Sequence, residues 1–352
     1  MFRVTARAES GKLGTRKKEQ HMTDLRIAFV GTGSIAQRHL KTLAALLGEK
    51  PIIAACDVDR ARASTVCKQY GGNSYEDAAL MLKAESPEAV FICTPPFVRE
   101  EPIRLCCRRN IPFFCEKPPA ADLKTASKLA ELVAGSGVIN SVGFMYRHAE
   151  IVDEFKKWFD GVTVTSVVSQ MACGALFSPE LPAWYKLMDK SGGPLLDQAV
   201  HLIDLIRCLA GEIVEIGACG SNQLLPASET LTVPETVTLM YRFANGAVGA
   251  HYHSWAHKLW TCQAEVRSDD SRVQIELAKG TRLCGVVKGE AKEFATEKDY
   301  YVTEIQRFLQ AVREKNPALI RSPYPDAARS LAVVLAANRS LETGKLEKVK
   351  EL

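Results

Sequence analysis

From residue 25 onward, short apolar runs alternate with longer stretches whose apolar positions recur every three or four residues. The runs LRIAFV (25–30), PIIAAC (51–56), AVFIC (89–93) and PFFC (112–115) predict strands. The intervening periodicity predicts helices over 34–47, 61–70, 75–83, 97–108 and 123–135. Repeated strand-helix units imply a parallel sheet covered on both faces. After residue 160 the pattern changes to strand-like runs at 162–172, 213–219, 235–243, 247–255, 261–268, 272–277 and 282–287. Helical periodicity returns at 299–313 and 325–342, where the chain is expected to pack back on the first unit and the second sheet.

One segment breaks the apolar logic. GGPLLDQAVHLIDLIRCLAG (192–211) reads as a buried helix opened by Pro194 and closed by Gly211. Asp197, His201 and Asp204 interrupt it at offsets of four and three, which places them on one helical face. Ionisable groups in such a setting are costly unless paired. Asp204 lies deeper along the helix and is expected to make structural hydrogen bonds.

The first predicted strand-to-helix turn is GTGSIA (31–36), which fits G-x-G-x-x-A. Gly31 permits the tight turn, Gly33 lets a pyrophosphate approach the backbone, and Ala36 allows close helix packing. Ser34 and Ile35 open the helix whose N-terminus faces the phosphates. Asp57 follows the second strand at the distance where a carboxylate accepts hydrogen bonds from ribose hydroxyls. This favours NAD over NADP, because a 2'-phosphate would meet the Asp57 charge. Arg60 and Arg62 nearby soften that repulsion and leave NADP possible.

Charge sharpens the picture by where it sits. The chain of 352 residues carries a net charge of +4, and residues 1–21 hold six basic and two acidic groups. Taken from the totals of 45 and 41, these leave 39 basic and 39 acidic residues in the body. A neutral body has no electrostatic footprint for nucleic acid. The leader lacks the apolar region of a secretory signal, and His21-Met22 marks an added junction or an upstream start. With 47% hydrophobic and 24% charged residues the rest is globular, and its apolar runs are too short to span a membrane. Eleven scattered cysteines without a C-x-x-C pair suit reduced packing and a cytoplasmic setting. The charge runs at 266–272 and 345–350 read as solvated surface. HYHSWAH (251–257) invites a metal reading, but no carboxylate or cysteine set completes it. The expectation is no metal, with one histidine toward substrate and another toward an interface.

Further motifs carry a resemblance. CEKPPA (115–120) follows the fifth strand, GFMYR lies at 143–147, and GGPLLDQAVHLIDL opens the buried helix. With GTGSIA, and in this order, they resemble the Gfo/Idh/MocA oxidoreductases over residues 25 to about 349. The resemblance implies an α/β protein: a Rossmann dinucleotide-binding domain at 22–145, after the leader, and a second α/β domain at 146–352 with a large, mostly antiparallel sheet. It implies Lys117, Asp197 and His201 as catalytic positions. His201 would take the hydroxyl proton, Lys117 would hold the substrate oxygen, and Asp197 would orient His201 or the substrate. Glu116, Thr94 and Pro95 would shape the cofactor pocket beside Lys117. One departure stands out: many relatives carry T-P-N-x-x-H where this chain has TPPFVR (94–99), with Pro96 for asparagine and Arg99 for histidine.

The resemblance further implies an NAD-dependent oxidoreductase acting on a sugar, cyclitol or related polyol, associating as a homodimer or homotetramer through the exposed face of its large sheet. Tyr146, Arg147, Trp184 and Tyr185 are candidates to line the substrate pocket. Two other readings stay open: a glycosidase with tightly held NAD, and a non-catalytic dinucleotide sensor.

Overall fold

The computed structural model describes residues 25–278 and 280–352, so the basic leader at 1–21 lies outside the described residues. The first sheet comprises β1 (Ile27–Val30), β2 (Ala54–Cys56), β3 (Asn73–Tyr75), β4 (Ala89–Ile92), β5 (Phe113–Cys115) and β6 (Asn140–Val142). All pairings are parallel, in the order β3-β2-β1-β4-β5-β6. The connecting helices are α1 (Ser34–Leu47), α2 (Arg60–Tyr70), α3 (Ala78–Glu85), α4 (Glu100–Arg109) and α5 (Leu123–Ser136). The strand order reverses between β1 and β4, and that crevice is where such sheets bind ligands.

Local chemistry sets the boundaries. The helix expected at 75–83 starts at Ala78 because Asp77 caps it, accepting from Leu80 N at 2.8 Å. The helix expected at 97–108 starts at Glu100, since Pro96–Val98 forms a separate 3-10 turn. Only Ala54–Cys56 of the 51–56 run pairs as a strand. The strands β3 and β6 are three residues long and carry Asn and Ser, so no apolar run announced them.

After α6 (Glu150–Trp158) comes the nine-stranded sheet, entered by β7 (Ser166–Ala172). Helix α7 (Val200–Ala210) precedes β8 (Ile213–Ser221), β9 (Thr236–Phe243), β10 (Val248–Ser254), β11 (Thr261–Arg267), β12 (Arg272–Glu276), β13 (Thr281–Val287) and β14 (Glu290–Thr296). Helices α8 (Tyr300–Glu314) and α9 (Tyr324–Thr343) and the two-residue β15 (Glu347–Lys348) complete the chain. The order is β14-β13-β12-β11-β7-β10-β9-β8-β15, antiparallel except where β10 lies parallel to β7. Both edges were read from sequence as polar surface or not at all. EAKEFAT forms β14, and part of the 345–350 charge run forms β15; charged residues suit edge strands, which they protect from further pairing.

One face of the large sheet is buried and one is open, as the alternation along β9 (buried at Val237, Leu239, Tyr241 and Phe243) requires. Helix α8 packs on the first sheet, with Phe308 edge-on to Phe91 and Phe114 at centroid separations of 5.6 and 5.7 Å. Helix α9 packs on α5, α7 and β8. These contacts bring α7 to the carboxyl edge of the parallel sheet. Among the described residues no helix is long and apolar enough to cross a membrane.

Candidate active site

Gly31 sits at φ +88°, and a Cβ there would meet the backbone of Cys93 and Thr94 at 2.8–2.9 Å, so only glycine fits this turn. Gly33 has open space where its Cβ would be, and no side chain caps α1. The first N–H groups of α1, from Ser34 and Ile35 onward, therefore face the crevice without acid neighbours in the first turn. Asp57 Oδ2 accepts from Thr32 N at 2.8 Å and Thr32 Oγ1 at 2.7 Å, and Oδ1 accepts from Asp59 N at 3.0 Å. Burial raises the Asp57 carboxyl, but these bonds and the Arg62 charge outweigh it and hold it below the usual range. An ionised acceptor thus stands at the tip of β2, with Arg60 exposed beside it. Across the crevice Thr94 Oγ1 is buried without a partner among the described residues, and Pro95 is exposed next to it. An open phosphate cradle, a fixed carboxylate and an orphaned hydroxyl fit a dinucleotide.

At the end of β5, Glu116 is buried and accepts from His39 Nε2 at 2.6 Å. Its second oxygen accepts from Lys117 N at 3.1 Å. Burial raises this carboxyl, and the His39 hydrogen bond with the nearby His39, Arg99 and Lys117 charges brings it below its usual range. Arg99, 3% exposed, reaches across the same turn. Its Nε donates to the Thr94 carbonyl at 2.8 Å, and Nη1 donates to the carbonyls of Glu116 and Pro118. One guanidinium thereby ties the loop after β4 to the residues on both sides of Lys117.

Lys117 Nζ donates to the Asp197 carbonyl and to Asp197 Oδ1, the latter at 3.2 Å. The segment Leu195–Ala199 is a π-helical turn, with Val200 N donating to Leu195 O, and it runs directly into α7. The wider turn changes what the polar stripe does. Of the two roles expected for Asp197, orienting His201 or the substrate, the contact to His201 is not made; Asp197 turns to Lys117, and His201 has no hydrogen bond among the described residues. Its ring is seated edge-on by Phe144 and Tyr146, at centroid separations of 6.0 and 5.8 Å. Nδ1 is enclosed, which leaves Nε2 as the nitrogen open to the cleft. Burial, then the Lys117 charge, pushes the imidazole well below its ordinary value, so it is neutral at physiological pH. A neutral imidazole beside a fixed ammonium can accept one proton while the ammonium stabilises an alkoxide.

Two pocket-lining expectations are corrected here. Tyr146 is 4% exposed, wedged between His201 and Tyr300 with its hydroxyl 3.4 Å from Cys262 Sγ, so it supports the histidine from behind. Arg147 donates to Asp204 at 2.6 and 2.7 Å and is buried, which commits its guanidinium to the helix rather than to a ligand. Asp204 is the structural residue it was read to be. Trp184 is 48% exposed and lies 4.1 Å from the Tyr185 ring, which faces Trp255 at 6.3 Å. Burial and the Asp197 charge push the Tyr185 phenol up to about 12. These two rings stand on the Asp197 side of the cleft.

His251 and His253 also depart from expectation. Residues two apart on β10 share a face, and both rings lie fully buried on the inner one, 5.7 Å apart. His251 is held by Ser169 at 2.9 Å, and burial pushes it down to about 3. Among the described residues no three His, Cys, Asp or Glu side chains gather to hold a metal ion.

Residues 25–144 match the model of the oxidoreductase family with an NAD-binding Rossmann fold, and residues 162–281 match the Gfo/Idh/MocA C-terminal domain. The chain belongs to the Gfo/Idh/MocA oxidoreductases. Among its relatives in this family, it is 23% identical to the myo-inositol 2-dehydrogenase of Thermotoga maritima over 93% of this chain and 99% of that one. It is 24% identical to the NAD-dependent scyllo-inositol 2-dehydrogenase of Bacillus subtilis, over 91% and 95%. Levoglucosan dehydrogenase in complex with NADH superposes with a TM-score of 0.80 at 18% identity, covering 93% of this chain and all of the other. The chain is an NAD-dependent oxidoreductase of this family, with Arg99 in the position where its sequence departs from the common pattern.

Sequence reading missed Arg99 as a clamp and His39 as the partner of Glu116. Both are side chains whose partners lie on other loops, and a single sequence carries no signal for that. Gln198 and Trp255 were missed as well, although a buried indole N–H calls for an acceptor.

Proposed function

We propose that this protein oxidises a secondary alcohol of a cyclitol or sugar, or reduces the corresponding ketone, at the junction of Lys117, Asp197 and His201. The carrying observation is the ammonium of Lys117 held on Asp197 beside a neutral, open-edged His201 at the rim of the dinucleotide cradle. NAD, when bound, supplies the hydride acceptor. Gly31, Gly33, Ser34 and Ile35 would receive its pyrophosphate, Asp57 with Arg60 beside it would receive the ribose, and Thr94, Pro95, Glu116 and Lys117 would border the nicotinamide.

His201 Nε2 removes the hydroxyl proton as the alcohol is oxidised. Lys117 Nζ donates to the resulting oxygen and stabilises its developing charge. Asp197 fixes the lysine and presents its second oxygen to the substrate. Trp184 and Tyr185 offer an aromatic wall suited to a sugar or cyclitol ring. We assign residues 22–145 to cofactor binding and 146–352 to substrate binding and association. The open face of the large sheet, where Val168, Met240 and Val248 are exposed, supports a homodimer or homotetramer. Eleven free cysteines fit a cytoplasmic location.

The test is titration of purified protein with NADH and NADPH by fluorescence, then a panel of cyclitols and aldoses with NAD. Expected is preferential NADH binding and polyol-dependent NADH formation. NADH binding without net formation on any polyol overturns the reading in favour of internal cycling or sensing.

A further inference from the structure

The π-turn that carries Asp197 also carries Gln198. Its Oε1 accepts from the Trp255 indole Nε1 at 2.8 Å and from Cys173 Sγ at 3.3 Å. An indole N–H only donates, so the atom facing it is the amide oxygen and the orientation of the amide is settled. The anchor is rigid: Trp255 is fully buried, packed with Leu176, Leu231 and Val233. With the oxygen held, Nε2 points away from Trp255. It has no acceptor among the described residues and is not enclosed. The surroundings belong to the cleft: the preceding residue of the same turn, Asp197, holds Lys117 at 3.2 Å, and the Tyr185 ring faces the same Trp255 at 6.3 Å.

Asp197 meanwhile uses Oδ1 for Lys117, and its other oxygen has no partner among the described residues. Consecutive residues of one turn thus offer a carboxylate oxygen that only accepts and an amide nitrogen that only donates. A hydroxyl, which does both, is the group that satisfies the pair. We propose that Gln198 is a specificity-determining residue: its Nε2 donates to a substrate hydroxyl on the carbon beside the reacting one, while Asp197 accepts from the same hydroxyl. The inference rests on the polyol reading given above.

Steady-state kinetics with NAD and the polyol that the wild type oxidises test it, using Gln198→Leu and Gln198→Glu. Glutamate keeps an acceptor for Trp255 and loses the donor, so it carries the test if the leucine variant fails to fold. Both variants are expected to raise KM about 5- to 10-fold, the size of one lost hydrogen bond, with kcat changed much less and NADH affinity unaltered. With a substrate lacking the neighbouring hydroxyl, the wild type should fall to the level of the variants, and the variants should lose nothing further. An unchanged KM, or the same loss on the deoxy substrate as on the parent, overturns the role of Gln198 and leaves the polyol reading standing. A wild type that binds NADH and oxidises no polyol removes that reading and this inference together.

Discussion

At the N-terminal end of α7, among the described residues, His201 Nε2 has no hydrogen bond and stays open to the cleft, and Asp197 keeps an unbonded carboxylate oxygen. Two turns further, Asp204 accepts from Arg147 and Ser330, and Arg207 donates to Glu212 through Nε and Nη2 and to Ser330 through Nη1. Burial opposes the Arg147 charge and Asp204 overrides it, so this end holds a closed ion network that joins α7 to α9. Residues of the same kinds on one helix thus serve two purposes. Where every polar atom is matched the group stabilises the fold; where one is left facing a cleft it is available to a ligand.

The largest expected effect breaks the open end. Lys117→Ala and His201→Ala should each lower kcat by about 10²–10⁴-fold while shifting the thermal midpoint little. Equal losses of stability would show the two ends to be alike. The converse change is Asp204→Asn, which takes from the buried Arg147 its enclosed, two-pronged counter-ion and leaves it the part-exposed Asp326 at 2.5 Å. It should cost about 3–5 kcal/mol in urea unfolding, with activity per folded molecule retained.

Arg99 lies between these cases, since it is matched through carbonyls and touches no ligand position directly. Arg99→Gln should lower kcat by about 10- to 100-fold through displacement of Lys117, and weaken NADH binding less. A loss of NADH binding alone, with kcat intact, would assign Arg99 to the cofactor loop instead.

The smallest effect concerns pH. His148 and His251 are fully buried, and burial lowers both from 6.5 to about 3, the Arg307 and Arg147 charges adding to the effect at His148. A lowered folded value means the unfolded chain binds more protons between about pH 3 and 6.5, so stability rises with pH across that window and levels off above it. Each such histidine contributes a slope of about 1.4 kcal/mol per pH unit below pH 6. His251→Gln, which can still bond Ser169, should remove one share of that slope in urea melts at pH 5, 6 and 7.5.

Much of this was legible in the chain. The β-α alternation, the G-x-G-x-x-A turn, Asp57 and the change to strand runs after 160 are local patterns, because periodicity, turn chemistry and burial act within a few residues. The order of motifs likewise brought Lys117, Asp197 and His201 into one expectation. Tertiary structure alone decided who meets whom. It set Asp197 on Lys117 rather than His201, because a π-turn widens the helix there. It took Tyr146 and Arg147 out of the pocket and put Arg99 across the EKP turn, because burial leaves each polar group only the partners that distant loops bring. Helical spacing can place a side chain on a face, but the free energy of a buried charge depends on what packs against that face, and this is fixed only when the whole chain has closed.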